Sequence, residues 1–126
     1  MSLPKFDLSI PEHAMAAFNK LRAFLSVEKS EAQNEKYFST TRLFDEAGDI
    51  SSVELSRVLA RLVKDGLVEQ IVRVEPAFGE GIGDFASIED IPLELEDWRH
   101  PGNIVEVRPE YLQVYYKLTP SAVNGN

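Results

Sequence analysis

The feature that most constrains the fold is the stretch at residues 50–68, ISSVELSRVLARLVKDGLV, which predicts one amphipathic helix. Ser51 is followed three residues later by Glu54, the spacing of a capping box, in which each side chain accepts a hydrogen bond from the other residue's backbone N–H. Ile50 and Leu55 stand at the two positions of a hydrophobic staple. The start of this helix is therefore well determined by the local sequence.

Two stripes of side chains follow the helical repeat in this stretch. One is apolar and predicts the face that packs into the core: Leu55, Val58, Leu59 and Leu62. The other is charged: Glu54, Arg57, Arg61 and Lys64. Gly66 predicts the end of the helix, because glycine readily adopts the left-handed conformation that closes a helical segment.

The net charge of the chain is −8, and it is concentrated in one stretch. Residues 76–110, called the acidic segment below, contain nine acids and two bases, a net charge of −7. The remaining residues contain 12 acids and 11 bases. Nucleic-acid binding depends on Lys and Arg that neutralise phosphates, so we expect a phosphate backbone to repel the acidic segment.

Composition predicts one globular domain, because 126 residues with 44% hydrophobic content are enough for a single core. The chain has no cysteine, which excludes disulfides, thiol catalysis and cysteine-bound zinc and fits a reducing compartment. It also has no run of about 18 apolar residues and no basic-then-apolar leader, so we expect no membrane span and a cytoplasmic protein.

A first helix is predicted to begin near Pro11, because Ser9 and Glu12 repeat the capping spacing and proline favours a first helical turn. Burial within the same domain accounts for its broad apolar face, and contact with a second copy is the alternative. A domain this small is expected to leave part of that face uncovered, so we predict a homodimer built in part on this helix. The apolar residues are Ala14, Met15, Ala17, Phe18, Leu21, Phe24 and Leu25.

Residues 26–36 are polar and form either the exposed end of the first helix or a loop. A short strand is predicted at residues 37–39. Thr40 or Thr41 can cap a second helix, and Gly48 allows the positive-φ turn that follows it. Three residues of the second helix are expected to face inward: Leu43, Phe44 and Ala47.

Three strands are predicted at residues 67–75, 104–108 and 112–118, because these runs are rich in β-branched and aromatic residues and proline lies at their boundaries. We expect them to form one three-stranded sheet. Alternation in the last strand places Tyr111 and Tyr115 on its outer face, where they either stack on a partner or pack on neighbouring loops.

Residues 77–103 form a long insertion between these strands. Its GEGIG run is only superficially similar to a phosphate-binding loop, because the Gly-Lys-Ser/Thr ending is absent and no capped helix follows. The insertion has too many apolar residues for a disordered loop, and we expect them to fold back on the sheet while the carboxylates point outward. These apolar residues are Phe85, Ile88, Ile91, Leu93, Leu95 and Trp98.

The chain offers no recognisable arrangement of catalytic or metal-binding residues. His13 and His100 lie in different elements, and neither has further ligands at the spacing of a metal site. Paired acids within a polar loop are typical of a solvated surface rather than of acid–base catalysis. We therefore predict no enzymatic activity, no metal and no cofactor.

The run SRVLARL at residues 56–62, followed by GLV at residues 66–68, resembles the recognition helix of winged helix-turn-helix regulators of the MarR, ArsR and PadR type. The resemblance extends to TRLFDEA at residues 41–47 as the preceding helix and to residues 48–50 as the turn. It also includes YYKLTP at residues 115–120, which is similar to the end of the second wing strand.

This resemblance implies an α+β winged helix-turn-helix fold, in which three helices pack on a small antiparallel sheet and the wing carries a long acidic insertion. Residues 1–126 would form one domain. Its helical part is residues 9–66, its wing sheet is residues 67–118 with the insertion at 77–103, and residues 119–126 are a tail.

The resemblance also implies a DNA-binding transcriptional regulator, dimeric, whose helix at residues 51–64 enters the major groove. A solvated helix face is the alternative for the charged stripe, because Glu54 can pair with Arg57 one turn away. Val53 and Glu54 depart from the family pattern, since base-reading residues usually occupy their positions. Six residues are available for phosphate or base contacts: Thr41, Ser52, Ser56, Arg57, Arg61 and Lys64.

The same fold also serves as a protein–protein module, which gives a second hypothesis. In that case the acidic insertion, which contains Trp98, binds a basic protein partner or masks the DNA-facing surface. A third hypothesis is a dimer with no role in nucleic-acid binding.

Overall fold

Three α-helices occupy the first half of the chain: α1 (Met15–Glu31), α2 (Thr40–Ala47) and α3 (Ser52–Lys64). The computed structural model describes residues 10–77 and 80–119. Strand β1 (Lys36–Ser39) lies between α1 and α2. The second half contains five further strands: β2 (Glu69–Val74), β3 (Gly83–Phe85), β4 (Glu94–Glu96), β5 (Ile104–Glu106) and β6 (Leu112–Leu118).

Four of the strands form one antiparallel sheet in the order β1-β6-β2-β3, and β4 pairs with β5 in a separate two-stranded sheet. The fold is therefore α+β, with three helices and a small antiparallel sheet. This order of elements and strands is compatible with a winged helix.

One of the three strands predicted for the sheet does not belong to it. Strand β5 does not join β2 and β6, although both of those strands were predicted correctly. One edge of β2 is occupied by β6, and β3 pairs with Val72 to Val74 on the other edge. On its outer edge β6 pairs with β1 from Tyr115 to Leu118. Strand β5 instead pairs with β4 from within the predicted insertion.

Helix α3 begins and ends where the sequence predicts. The Glu54 backbone N–H donates to Ser51 Oγ at 3.1 Å, and the Ser51 N–H donates to Glu54 Oε1 at 3.0 Å, which completes the capping box. At the other end Gly66 has a φ of +80°. The Leu67 N–H then donates to the Leu62 carbonyl at 3.0 Å, so the last turn is closed by a Schellman motif.

The core lies between the three helices and the inner face of β1 and β6. All four residues predicted for the apolar stripe of α3 are buried. Helices α1 and α2 contribute Leu21, Leu25 and Leu43, which are fully buried. The inner face of the sheet contributes three further residues to this cluster: Phe38, Tyr116 and Leu118.

The apolar face of α1 is more completely covered than we expected. Phe18 and Leu25 are buried within the chain, and Phe24 is half-buried, with its ring 5.6 Å edge-to-face from Phe38. Met15 remains exposed. The homodimer stays a prediction, but the exposed apolar surface of α1 is smaller than the sequence predicted.

The first residues of α1 and α2 differ from the predicted positions, whereas α2 ends at Ala47 as predicted. A 3-10 turn at Glu12–Ala14 precedes α1, which begins at Met15 rather than near Pro11, and the predicted cap Ser9 lies outside the described residues. Helix α2 is capped by Ser39, whose Oγ accepts from the Arg42 N–H at 3.1 Å. The prediction of Thr40 or Thr41 was wrong because Ser39 has the extended backbone of a cap, whereas both threonines are already helical.

Candidate functional site

The exposed side of α3 is the surface on which the sequence places the charged stripe. Val53 is the most exposed apolar residue there, with 70% of its surface accessible. This surface, called the α3 face below, consists of the exposed residues of α3 that lie outside its buried apolar stripe: Ser52, Val53, Ser56, Arg57, Ala60 and Lys64. Because capping at both ends fixes the helix, the α3 face is presented on a rigid element.

Two cations on the α3 face are available to a ligand. Arg57 and Lys64 form no ion pair with any described residue. Arg61, predicted for the same role, pairs with Asp65 at 3.2 Å and lies 5.9 Å from the centre of the Phe18 ring, beside α1. The free positive charge of α3 is therefore that of Arg57 and Lys64.

The alternative in which Glu54 neutralises Arg57 does not describe this helix. The Glu54 carboxylate accepts the Ser51 N–H, and its other oxygen contacts His13 Nε2 from the 3-10 turn before α1. The hydrogen bond from the Ser51 backbone holds the pKa of Glu54 below its ordinary value. Glu54 thus serves the cap and the contact to the N-terminal turn, and Arg57 stays unpaired among the described residues.

The remaining predicted contact residues are hydroxyls, and they do not all lie together. Ser52 and Ser56 lie on the α3 face, where the Ser56 hydroxyl donates to the Ser52 carbonyl at 3.1 Å. Thr41 lies in the first turn of α2 and lines a groove with β1 and β6 instead. Of the six predicted residues, four therefore share one surface.

The hairpin of β4 and β5 places most of its carboxylates on one side. Alternation turns Leu95 and Val105 to a half-buried face and Glu94, Glu96 and Glu106 to solvent. Glu94 is directly opposite Glu106 in the register. Like charges at such a position repel each other. Of these three carboxylates only Glu106 has an ion pair with a described residue, a long one to Arg108, so the face is strongly acidic.

All four cations of the described sheet region, residues 69–77 and 80–119, are engaged by carboxylates of the same chain. Arg73 pairs with Asp84 at 2.7 Å. Arg108 pairs with Glu106 at 3.7 Å, and Lys117 pairs with Glu35 at 3.0 Å. The fourth, Arg99, pairs with Asp97 and Glu80. This half of the described chain therefore offers no unpaired cation to a phosphate.

The ion pair of Asp97 with Arg99 fixes the tip of the acidic hairpin. Asp97 is only 4% exposed and accepts from Arg99 Nε at 2.9 Å and from Arg99 Nη2 at 2.8 Å. Arg99 Nη1 also reaches Glu80 Oε1 at 2.9 Å. Hydrogen bonds from the Arg99 side chain lower the pKa of Asp97, and the same bonds raise the pKa of Arg99.

Because the pKa of Asp97 is lowered in the folded protein, its ionised form stabilises the fold above its ordinary pKa, and this contribution is lost as the pH falls through the lowered value. We expect Arg99→Ala to lower the melting temperature at pH 7 and to weaken the loss of stability between about pH 5 and pH 2. Thermal melts across this pH range measure both effects. Arg108→Ala is the control, since its pair is longer and exposed, and equal melting temperatures for the two variants at pH 7 would contradict the assignment.

The predicted insertion packs on the sheet only in part. Ile82 is buried, and Phe85, Ile91 and Leu95 are half-buried. Ile88, Leu93 and Trp98 are exposed, so the expectation that all of them fold back was wrong for these three. The regular structure of this segment is limited to strands of three residues and a 3-10 turn at Ile88–Asp90, which leaves these three side chains uncovered.

The outer face of the main sheet holds a cluster that the sequence alone did not single out. The Arg73 guanidinium carbon lies 4.8 Å from the centre of the Tyr37 ring and 4.7 Å from that of Tyr115. The Tyr115 hydroxyl donates to Glu75 Oε2 at 2.7 Å, and this bond raises the pKa of Tyr115. Tyr115 thus packs within its own domain. Strand alternation at residues 69–75 would have placed Arg73 and Glu75 on one face.

Comparison of the chain with protein-family models, with curated proteins and with solved structures gave no match. None of the described helices is long and apolar enough to cross a membrane. Within residues 10–77 and 80–119, no group of three or more His, Cys, Asp or Glu side chains is arranged to hold a metal ion. The geometry of α3 and of the sheet is therefore the basis for any functional assignment.

Proposed function

We propose that the chain is a DNA-binding transcriptional regulator of the winged-helix type, which contacts DNA through the α3 face. The order of elements supports this proposal, because α2, the turn at Gly48 and α3 correspond to a helix-turn-helix, and β2 and β6 correspond to the two strands of a wing. Gly48 has a φ of +89°, as the turn requires. The observation that carries the proposal is the rigid α3 face with two unpaired cations, Arg57 and Lys64.

In this proposal α3 enters the major groove and supplies most of the binding energy. Arg57 lies about one turn after the start of the helix, where side chains reach base edges or phosphates. Lys64 lies two turns further and neutralises a phosphate. The wing contributes no unpaired cation, so we expect weak binding with a shallow salt dependence, set by about two phosphate contacts.

Arg57→Ala tests the α3 face directly. We expect it to weaken binding to a random-sequence DNA duplex at low salt by about 1 to 2 kcal/mol, roughly 5- to 30-fold, because the variant loses a charge at the contact. The slope of log K against log salt should fall by about one. Fluorescence anisotropy titrations at several salt concentrations measure both quantities.

Lys29→Ala is the matched control, since it removes one cation from α1 that also forms no ion pair with a described residue. We expect it to change the affinity by less than about twofold, because the control site is not on the α3 face. Equal losses for the two variants would mean that only the net charge matters and that α3 is not the contact surface.

A second candidate function is a winged-helix interaction module that binds a basic protein. It is favoured by the engagement of every described cation of the sheet region and by the exposure of Leu93, of which 85% is accessible. Absence of DNA binding at low ionic strength, together with a salt-sensitive complex with a basic protein, would support this function over the first.

A further inference from the structure

A groove of about 700 Å³ lies next to the first turn of α2. Its origin is a difference in strand length. Strand β1 pairs with β6 only as far as Ser39, which is opposite Tyr115, and the chain then turns into α2. Strand β6 extends further, to Leu112, so its edge beyond Tyr115 has no neighbouring strand on that side among the described residues. This volume is within the range of small-molecule sites.

A carboxylate in this groove is buried without an ion pair to any described residue. Glu75 lines the groove and is only 9% exposed. Its Oε2 accepts the Tyr115 hydroxyl, and no other described side chain donates to it. Two arginines are close to this groove, and each is paired with another carboxylate. Arg73, whose pKa is raised in part by the charge of Glu75, binds Asp84, and Arg42, which also lines the groove, binds Glu46 at 3.2 Å. Burial of an ionised group is costly unless a partner compensates it.

Asp97, the other buried acid among the described residues, is compensated by a cation. Asp97 accepts three N–H donors, all from Arg99, and pairs with its guanidinium. Glu75 accepts one uncharged hydroxyl. Glu75 therefore differs from Asp97 in that neither nearby arginine is bound to it, and the groove is the space from which a further positive charge can reach it.

The walls of the groove suit a cation with a carbon frame. Tyr37 and Tyr115 line it, and the same two rings already hold the Arg73 guanidinium at less than 5 Å from their centres. Tyrosine rings attract cations through their electron-rich faces. Gln113 and Thr41 add an amide and a hydroxyl at the rim.

We propose that this groove is a binding site for a small organic cation, an amine or a guanidinium compound. Glu75 neutralises its charge, and Tyr37 and Tyr115 contact its carbon frame. The site is separate from the α3 face and does not depend on DNA binding.

Titration of the whole protein with benzylamine tests the site, and benzyl alcohol is the uncharged match. We expect benzylamine to shift the backbone amide NMR signals of residues 37–42 and 113–115 in a saturable way, with a dissociation constant on the order of 1 mM for a ligand of this size. Benzyl alcohol should bind at least about tenfold more weakly, because it lacks the charge that Glu75 neutralises. Equal binding of the two ligands, or shifts confined to other residues, would overturn the proposal.

Glu75→Gln provides the second test, since the amide oxygen still accepts the Tyr115 hydroxyl while the charge is removed. We expect benzylamine to bind this variant at least about tenfold more weakly. Glu69→Gln removes one exposed carboxylate from β2, the strand that precedes Glu75, and should bind like the unaltered protein. Unchanged binding to Glu75→Gln would show that the carboxylate does not hold the ligand. If that variant fails to fold, the comparison of the two ligands on the unaltered protein still decides.

Discussion

Truncation of Leu62 to alanine is expected to lower the free energy of unfolding by about 2 to 5 kcal/mol, which is among the largest losses available to a single substitution in this chain. Leu62 is fully buried between the helices, and its carbonyl closes the last turn of α3. The loss combines the transfer energy of the removed methyl groups with the cavity that the packed core cannot fill. Urea denaturation of the two proteins at neutral pH measures it.

Arg61→Ala is the neighbouring control and should cost no more than about 1 kcal/mol. Arg61 is half-exposed, and its contacts are one surface ion pair with Asp65 and the distant Phe18 ring. Surface pairs of this kind contribute little because solvent screens them. If both variants lost the same free energy, the assignment of inward and outward faces on α3 would be wrong.

The helical half of the fold could be predicted because its signals are local. The capping box, the terminal glycine and the apolar repeat of α3 act within a few residues of one another, and the structure confirms all three. The cap of α2 was misplaced because Ser39, Thr40 and Thr41 all have capping side chains. Only the backbone conformation, which depends on where β1 ends, selects Ser39.

The sheet could be predicted less well because strand pairing depends on residues that are distant in the sequence. Strands β3, β4 and β5 have three residues each, too few for a periodic pattern to be read. The predicted insertion therefore contains two strands that the sequence did not indicate: β3, which belongs to the main sheet, and β4, which pairs with β5. Replacement of residues 77–103 by a short turn would remove β3 from β2, so tests of the acidic segment need substitutions rather than a deletion.

At the candidate site, periodicity predicted which residues share the α3 face but not which charges remain free. Glu54 was expected to be able to pair with Arg57, yet the predicted capping box already uses one Glu54 oxygen. The contact of Glu54 with His13 and that of Arg61 with Phe18 both depend on the packing of α1 against α3. Neither contact has a signal in the local sequence.

Neutralisation of the acidic segment is expected to raise the affinity for DNA more than any change on α3 itself. Five exposed acids of the segment form no ion pair with a described residue. Glu96 also accepts the Gly102 N–H, so the other four are the ones to replace: Glu89, Asp90, Glu94 and Glu110. Their replacement by Gln or Asn reduces the net charge from −8 to −4. If repulsion limits binding, we expect an increase in affinity on the order of tenfold at low salt, which shrinks as added salt screens the charges. Anisotropy titrations against a random-sequence duplex at several salt concentrations measure it.

The position of the charges, and not only their number, decides this outcome. The double variant E94Q/E110Q removes two acids from the acidic segment, and E31Q/E69Q removes two from the ends of α1 and β2. Both doubles have the same net charge, so a larger gain for E94Q/E110Q attributes the repulsion to the segment beside the proposed wing. Because Glu94 and Glu106 repel each other across the hairpin, the change at Glu94 should also preserve or raise the melting temperature. A folded fourfold variant that binds DNA no better than the unaltered protein would show that repulsion is not the limit, and the interaction module would then be the better-supported function.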